Sequence, residues 1–255
     1  MRNFIYFTKK EFLEGLKTYK VLILLAVFLL FGMTSSILAK MTPELISKFG
    51  TSGGIKISMP KPTSIDAYTQ FFKNISPMGI VVLILVFGGT LSGELSKGTL
   101  INMLSKGLTR RTVILSKYAT SIVIWSVSYV ASALINYGYT IYLFGNKPMK
   151  HLFLSLFCLW LFGDFVLAVV IFSNTIASGS YIPLLFSAVF LGILIILNII
   201  PKVQKFNPIA LATNNVLLLK NIAKVGDLYS ASLVTFGLII VFLVTSILIF
   251  NEKQV

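Results

Sequence analysis

Asp164 is the one ionisable residue well inside an apolar stretch of this chain, Leu152 to Ser173. An aspartyl intramembrane protease needs two carboxylates that share a proton. Gly163-Asp164 matches half of such a site, but no other apolar stretch contains an acid. A carboxylate at mid-membrane costs about 2.5–3.5 kcal/mol. We therefore expect Asp164 to face protein or water, either as part of a substrate path or as a hydrogen-bonded contact between helices with Ser and Asn partners.

The sequence lacks the residues that other catalytic or cofactor-binding sites require. A zinc site requires several His or Cys ligands, and the chain has one of each, His151 and Cys158. A phosphate-binding P-loop requires a Gly-Lys dipeptide, which is absent from the sequence. Ser180 has no evident base to activate it. The sequence therefore predicts no catalytic, cofactor-binding or metal residues in this chain.

The stretch from Gly93 to Arg111 carries one acid, Glu94, with four basic residues and three glycines. An apolar side recurs at helical spacing from Leu95, Thr99, Leu100, Met103 and Leu104. Glu94 suits the positive end of a helix dipole, and Gly107 can end the helix. The pattern predicts one short helix from Gly93 to Gly107 whose apolar side enters a partner groove. The alternative is a plain basic loop.

Composition indicates that most of the chain lies in lipid. Of its 255 residues 56% are hydrophobic and only 12% are charged, whereas soluble domains carry about 25% charged residues. The 22 basic residues outnumber the 8 acidic ones. They sit mainly at the ends of apolar stretches, where they meet lipid headgroups. No basic cluster is interleaved with aromatics, so a nucleic-acid partner is not expected.

The apolar stretches predict an all-α integral membrane protein with a single transmembrane domain, residues 1–255, and six spans. The predicted spans lie near residues 21–38, 75–92, 118–143, 152–173, 181–200 and 230–250. Residues 1–20 predict an amphipathic helix lying in the membrane interface. Lys40 to Lys73, with its GTSGG and MPKP turn signals, is expected to have little regular structure. Pro201 to Tyr229 is too short and charged to span, and predicts a re-entrant or interfacial helix pair before the sixth span.

Six spans place both termini on one side of the membrane. Eleven basic residues fall on each side, so their number does not decide the orientation. They are denser in the segments that share a side with the N-terminus, and the first span has a strongly basic leading flank. We therefore expect both termini in the cytoplasm.

The stretch after the second span resembles the signature of ABC type-2 permeases, the membrane subunits of one class of ATP-driven exporters. In that family an acidic residue is followed by Gly-Thr-Leu, two leucine-like residues, a Pro-x-Ser-Arg turn, and a lysine before the third span. The matching residues here are Glu94, Gly98, Thr99, Leu100, Met103, Leu104, Arg110 and Lys117. Gly107 stands where proline is usual, which is expected to loosen the turn. The layout of interfacial helix, six spans and long first outer loop is similar as well.

The resemblance implies a non-catalytic permease that pairs with a second permease and docks on separate ABC ATPase subunits, which bind the ATP. The stretch from Gly93 to Gly107 would then be the cytoplasmic coupling helix. The residues expected to dock on the ATPase are Glu94, Gly98, Thr99, Leu100, Met103, Leu104 and Arg110. Two other functions stay open: an ion-driven secondary transporter, which usually buries paired charges or broken helices, and a membrane-embedded enzyme acting on lipid or peptide. The substrate is not indicated.

Overall fold

The computed structural model describes residues 2–49, 61–146, 148–177, 179, 181–223 and 225–253, and every regular element among them is helical. In chain order the helices are α1 (Arg2–Lys17), α2 (Lys20–Phe49), α3 (Ser64–Asn74), α4 (Ile80–Phe87), α5 (Ser92–Ser96), α6 (Thr99–Ser105), α7 (Arg110–Phe144), α8 (Leu152–Ile176), α9 (Ile182–Leu197), α10 (Pro201–Gln204), α11 (Ala210–Thr213), α12 (Asn215–Leu219) and α13 (Val225–Glu252). A π-helical segment, Ile75–Gly79, joins α3 to α4.

Within the described residues, five helical stretches are long and apolar enough to cross a membrane. They are Lys20–Ile46, Ser64–Ser96, Arg110–Phe144, Leu152–Ile176 and Leu228–Glu252. The predicted fifth span corresponds to α9, a shorter apolar helix. Its 16 residues rise only ~24 Å, short of the ~30 Å hydrocarbon core. The predicted class, an all-α membrane protein, is confirmed.

The predicted lack of regular structure between Lys40 and Lys73 is wrong at both ends. Helix α2 continues to Phe49, well past residue 38, where the predicted first span ends. Helix α3 begins at Ser64, eleven residues before the predicted second span, because Thr63 and Asp66 form a capping box. The backbone N–H of Thr63 donates to Asp66 Oδ2 over 2.8 Å. Residues 50–60, with GTSGG and the start of MPKP, lie outside the described residues.

Helix α8 is the centre of the bundle, buried along most of its length and packed against α4, α7, α9, α11, α12 and α13. Small residues allow the close approaches. A Cβ at Gly163 would lie 2.3 Å from the ring of Trp125 on α7. Likewise, a Cβ at Gly32 of α2 would lie 2.5 Å from the carbonyl oxygen of Ser132 on α7. The bundle is therefore held by tight helix contacts of the kind found in lipid.

Helix α1 is separate from the first span, as predicted for the N-terminal helix. Tyr19, with φ 59°, interrupts the helical backbone between α1 and α2. Phe7 packs into the core, whereas Ile5 and Tyr6 are 65% and 64% exposed. An apolar side of α1 is thus left uncovered by the chain, which suits a helix lying in the membrane interface.

The region before the sixth span forms three short helices, α10 to α12, where a pair was predicted. Leu211 and Leu218 are fully buried against α8 and its neighbours. Ser155 Oγ at the start of α8 donates to the carbonyl of Asn215 over 3.2 Å. Helices α11 and α12 therefore close one end of the bundle, called here the α12 end.

The opposite end, called here the α1 end, gathers α1, the stretch 92–109 and the C-terminal end of α13. Lys117 near the start of α7 contacts Glu11 of α1. Arg110 at the start of α7 contacts the carbonyls that end α13. Both ends of the described chain therefore lie at the same end of the bundle, the one that carries the stretch 92–109.

Candidate functional site

The stretch predicted as one helix from Gly93 to Gly107 is two short helices, α5 and α6, so the continuous helix is wrong. Gly98 separates them with φ +71°, a conformation that L-residues with a side chain adopt at a cost. A Cβ at Gly98 would meet no atom within 4 Å, so the backbone alone favours glycine there. Gly107, with φ +90°, follows the end of α6, where the sequence predicted the helix to end.

Apart from Thr99, which is exposed, the predicted apolar side of this stretch faces the chain itself. Leu100 is fully buried in the core. Met103 and Leu104 are partly buried and pack against that core. Between residues 92 and 109 the exposed residues are Ser96, Lys97, Thr99, Ile101, Asn102, Ser105, Lys106, Gly107 and Thr109. Leu100 thus has no surface to offer a partner, and the exposed apolar side chain is Ile101, at 41% exposure.

Glu94 is part of an ion-pair cluster between α1, α5 and α7. Lys117, whose side chain is 2% exposed, places its Nζ 2.8 Å from Glu11 Oε2 and 2.9 Å from Glu94 Oε1. Lys10 contacts the same two glutamates at 3.0 and 3.4 Å, and Glu14 at 2.6 Å. Glu94 and Lys117, which both match the permease signature, therefore pair with each other. Because Lys117 also contacts Glu11, this pair joins the stretch 92–105 to α1.

The charges of this cluster shift the proton affinities of its outer members. Burial alone would lower the pKa of Lys10, but the hydrogen bond to Glu14 and the charges of Glu11 and Glu94 hold the pKa above its usual value. Burial would raise the pKa of Glu14, but the contact with Lys10 holds that pKa below its usual value. Both groups are thereby kept charged.

The three glutamates of the cluster also bring their oxygens within 4.8 Å of one another, a spacing that a cation could bridge. The ammonium groups of Lys10 and Lys117 already contact these oxygens. The lysines therefore supply the counter-charge that a metal ion would otherwise provide.

Asn174, near the end of α8, holds the turn between α4 and α5. Its Oδ1 accepts from the backbone N–H of Leu91 and of Ser92, each over 3.3 Å, and from Ser92 Oγ over 3.1 Å. Its Nδ2 donates to the carbonyls of Phe87 and Val170. Asn174 is fully buried, so its Oδ1 provides the acceptor for two backbone N–H groups at the break between α4 and α5.

Arg110 and Lys253 close the same end of the bundle. Arg110 Nη1 donates to the carbonyls of Phe250, Asn251 and Lys253 over 2.5 to 2.8 Å. Lys253 Nζ donates to the carbonyls of Thr175 and Ala177, at the end of α8. Cations suit the negative ends of helices. Arg110, predicted as a docking residue, thus engages the end of α13 within the chain.

Asp164 lies apart from this end of the bundle, midway along α8. It is 5% exposed, and its Oδ1 has no hydrogen-bond partner within the described part of the chain. Among the described residues, Oδ1 therefore makes no hydrogen bond with the expected Ser and Asn partners. The nearby hydroxyl of Tyr118 donates to the backbone carbonyl of Asp164, not to its carboxylate. Asp164 instead lines a groove between α7, α8 and α13.

Sequence reasoning did not find Lys10, Glu11 or Asn174 as site residues. The acids of α1 were a usable signal, because acids are rare in this basic chain. Asn174 carries no signal of its own, since an Asn after an apolar stretch reads as the start of a loop. Ser180, which was weighed as a nucleophile, lies outside the described residues.

Comparison with known proteins gives the family. Residues 6–255 match the family model described as ABC-2 family transporter protein. Over 163 residues the chain is 26% identical to the uncharacterised transmembrane protein YxlG of Bacillus subtilis (strain 168), and the alignment covers 63% of each chain. It thus spans slightly less than two thirds of that relative. Since the family model covers nearly the whole of this helical membrane protein, the chain belongs to the ABC-2 family of transporter proteins.

Proposed function

We propose that this chain is the permease subunit of an ATP-driven exporter, and that the stretch 92–105 at its α1 end docks on a separate ATPase. Family membership supports the permease of an ABC transporter. Export, pairing with a second permease and the docking surface are our proposals. ATP would bind to the partner subunit, since this chain has no P-loop lysine motif.

The observation that carries the proposal is how the stretch 92–105 is fastened. Buried polar contacts attach it to three helices. Glu94 pairs with Lys117 of α7, which in turn pairs with Glu11 of α1. Asn174 of α8 bonds to the first turn of the stretch. Leu100 anchors it to the core. A push on such a segment is passed to the spans, whereas a loosely attached loop would absorb it.

The surface offered to the ATPase is the exposed side of α5 and α6. Ile101 provides the apolar contact, and Lys97 and Lys106 flank it with positive charge. In our proposal, closure of the ATPase dimer around ATP brings the two docked segments together. The attached α7 and α8 then shift, so the path between two permeases opens outward. The equilibrium moves only as far as ATP favours the closed ATPase.

The test is a charge placed on the exposed surface, with a matched control at the α12 end. Ile101→Asp should abolish ATPase binding and stimulated ATP hydrolysis, because a charge in a dry groove is costly. Ile222→Asp, at a residue 67% exposed near α12, should keep both. The assay is co-purification of the Walker-motif ATPase with each variant, alongside the rate of ATP hydrolysis.

Binding of the ATPase by Ile101→Asp at normal expression would remove the docking assignment. Leu100→Asp cannot serve in this test. It would place a charge in the core of the chain itself, and loss of binding would then report unfolding.

A further inference from the structure

A groove on the side of the bundle runs between α7, α8 and α13 and has a volume of about 550 Å³. Aromatic rings contribute much of its wall: those of Tyr118, Phe157, Trp160, Tyr229 and Phe236. Tyr229 and Phe236 are 68% and 60% exposed. The groove therefore opens outward from the bundle, and its size suits one drug-sized molecule.

Asp164 gives this apolar groove a single polar group. The residue is only 5% exposed, and its Oδ1 has no hydrogen-bond partner in the described part of the chain. No basic residue is found among those described as lining the groove. Lys117, next to Tyr118 in sequence, contacts Glu11 and Glu94 instead. An ionised carboxylate here is costly without a cation beside it.

The depth of Asp164 decides which cations can reach it. It is the thirteenth of the 25 residues of α8, so its Cα lies ~18 Å along the axis from either end of the helix. The hydrocarbon core is ~30 Å thick, which puts Asp164 near its middle. A lipid headgroup or a hydrated metal ion stays at the surface of this layer. A cation that is itself soluble in hydrocarbon can enter it.

We propose that this groove binds a lipophilic organic cation, with its charge delocalised or shielded by apolar groups. The Asp164 carboxylate supplies the counter-charge. The faces of Trp160, Tyr118 and Tyr229 supply cation–π contacts, which strengthen where water is excluded. As a statement about what the exporter carries, this inference rests on the proposed function; as a statement about binding, it stands on the groove alone.

The test is equilibrium binding of tetraphenylphosphonium to the purified protein in a non-ionic detergent, without ATPase or nucleotide. Tetraphenylborate, a similar shape of opposite charge, is the ligand control. We expect the protein to bind the phosphonium and not the borate. Asp164→Asn should weaken phosphonium binding by about tenfold or more, because a charge-assisted contact at low dielectric is lost. Glu252→Gln, an exposed acid at the end of α13, should leave binding unchanged.

Phe236→Ala provides a second variant that does not depend on Asp164. Phe236 is largely exposed, so its removal should spare the fold while weakening phosphonium binding several-fold through lost ring contact. If Asp164→Asn does not fold, this variant and the choice between phosphonium and borate decide the matter.

Four results would overturn the inference: equal phosphonium binding by a folded Asp164→Asn variant, equal binding of the borate, unchanged binding by Phe236→Ala, or no phosphonium binding by the wild-type protein. The last is the result expected if a second copy of the chain covers the groove. Because no ATPase is present, none of these results bears on the docking of the stretch 92–105.

Discussion

The side chain of Asn174 offers the sharpest test of how the stretch 92–105 is attached. Leucine at this position has a similar shape but neither donates nor accepts a hydrogen bond. Asn174→Leu would leave the backbone N–H groups of Leu91 and Ser92, both buried, without the acceptor that the structure gives them. The α4–α5 turn should loosen as a result.

The magnitude follows from the bonds that are lost. A buried donor left without a partner costs about 1–3 kcal/mol. The distance from Oδ1 to each backbone nitrogen is 3.3 Å, beyond the common range for N–H···O bonds. The cost of losing each bond therefore belongs in the lower half of that energy range. Together they predict a loss of about 2–4 kcal/mol. For a chain of this length that lowers the melting temperature by roughly 5–15 °C.

The chain contains a built-in reporter for this measurement. Cys158 is its single cysteine and is fully buried, so a thiol-reactive fluorescent dye reports unfolding of the purified protein as the temperature rises. Hydrogen exchange over residues 88–96 reports the local loosening. Asn251→Leu, the same change at an exposed position, is the control and should melt within ~1 °C of wild type, since surface changes cost little.

In the complex, Asn174→Leu should separate binding from coupling. The exposed surface around Ile101 is unchanged, so the ATPase should still bind, while transport per ATP hydrolysed should fall. A variant with wild-type melting and unaltered exchange over residues 88–96 would show that the Asn174 hydrogen bonds do not hold the turn, and the account of attachment given above would fail.

Three further predictions concern the two ends of the bundle. Lys117→Met should lower stability by about 3 kcal/mol, because Glu11 and Glu94 lose their buried cation; the added change Glu94→Gln should recover part of it, and no recovery in the melting assay would contradict the pairing. Gly98→Ala should cost about 1 kcal/mol through its positive φ alone, and an unchanged melting temperature would argue against the break between α5 and α6. A cysteine at Ile222 should react with an impermeant maleimide in intact cells and one at Lys106 should not; the reverse labelling would invert the proposed orientation.

The sequence alone determined the class of the protein and the approximate places of its spans. Long apolar stretches have few solutions in lipid, because every backbone amide must be satisfied within its own helix. The separate N-terminal helix and the helix end before Gly107 were also predictable, since local amphipathic pattern and glycine conformation produce them. These features depend on residues close together in the chain.

Contacts between distant residues decided the rest. The pattern from Leu95 to Leu104 predicted one helix with an apolar side, but the pattern cannot say whether a core or a partner covers that side. The fold turned Leu100 inward and exposed Ile101. Glu94 and Arg110 looked like docking charges, and the fold gave them partners in α7, α1 and the end of α13.

Asn174 shows most plainly what the sequence alone cannot predict. Nothing in its neighbours along the chain distinguishes it from a residue that begins a loop. Its role arises because α4 ends beside it, at Phe87, and leaves N–H groups in a place that water does not reach. Asp164 is the converse case: its cost in the membrane was readable from the sequence, but only the packing of α7, α8 and α13 left its carboxylate facing an aromatic groove.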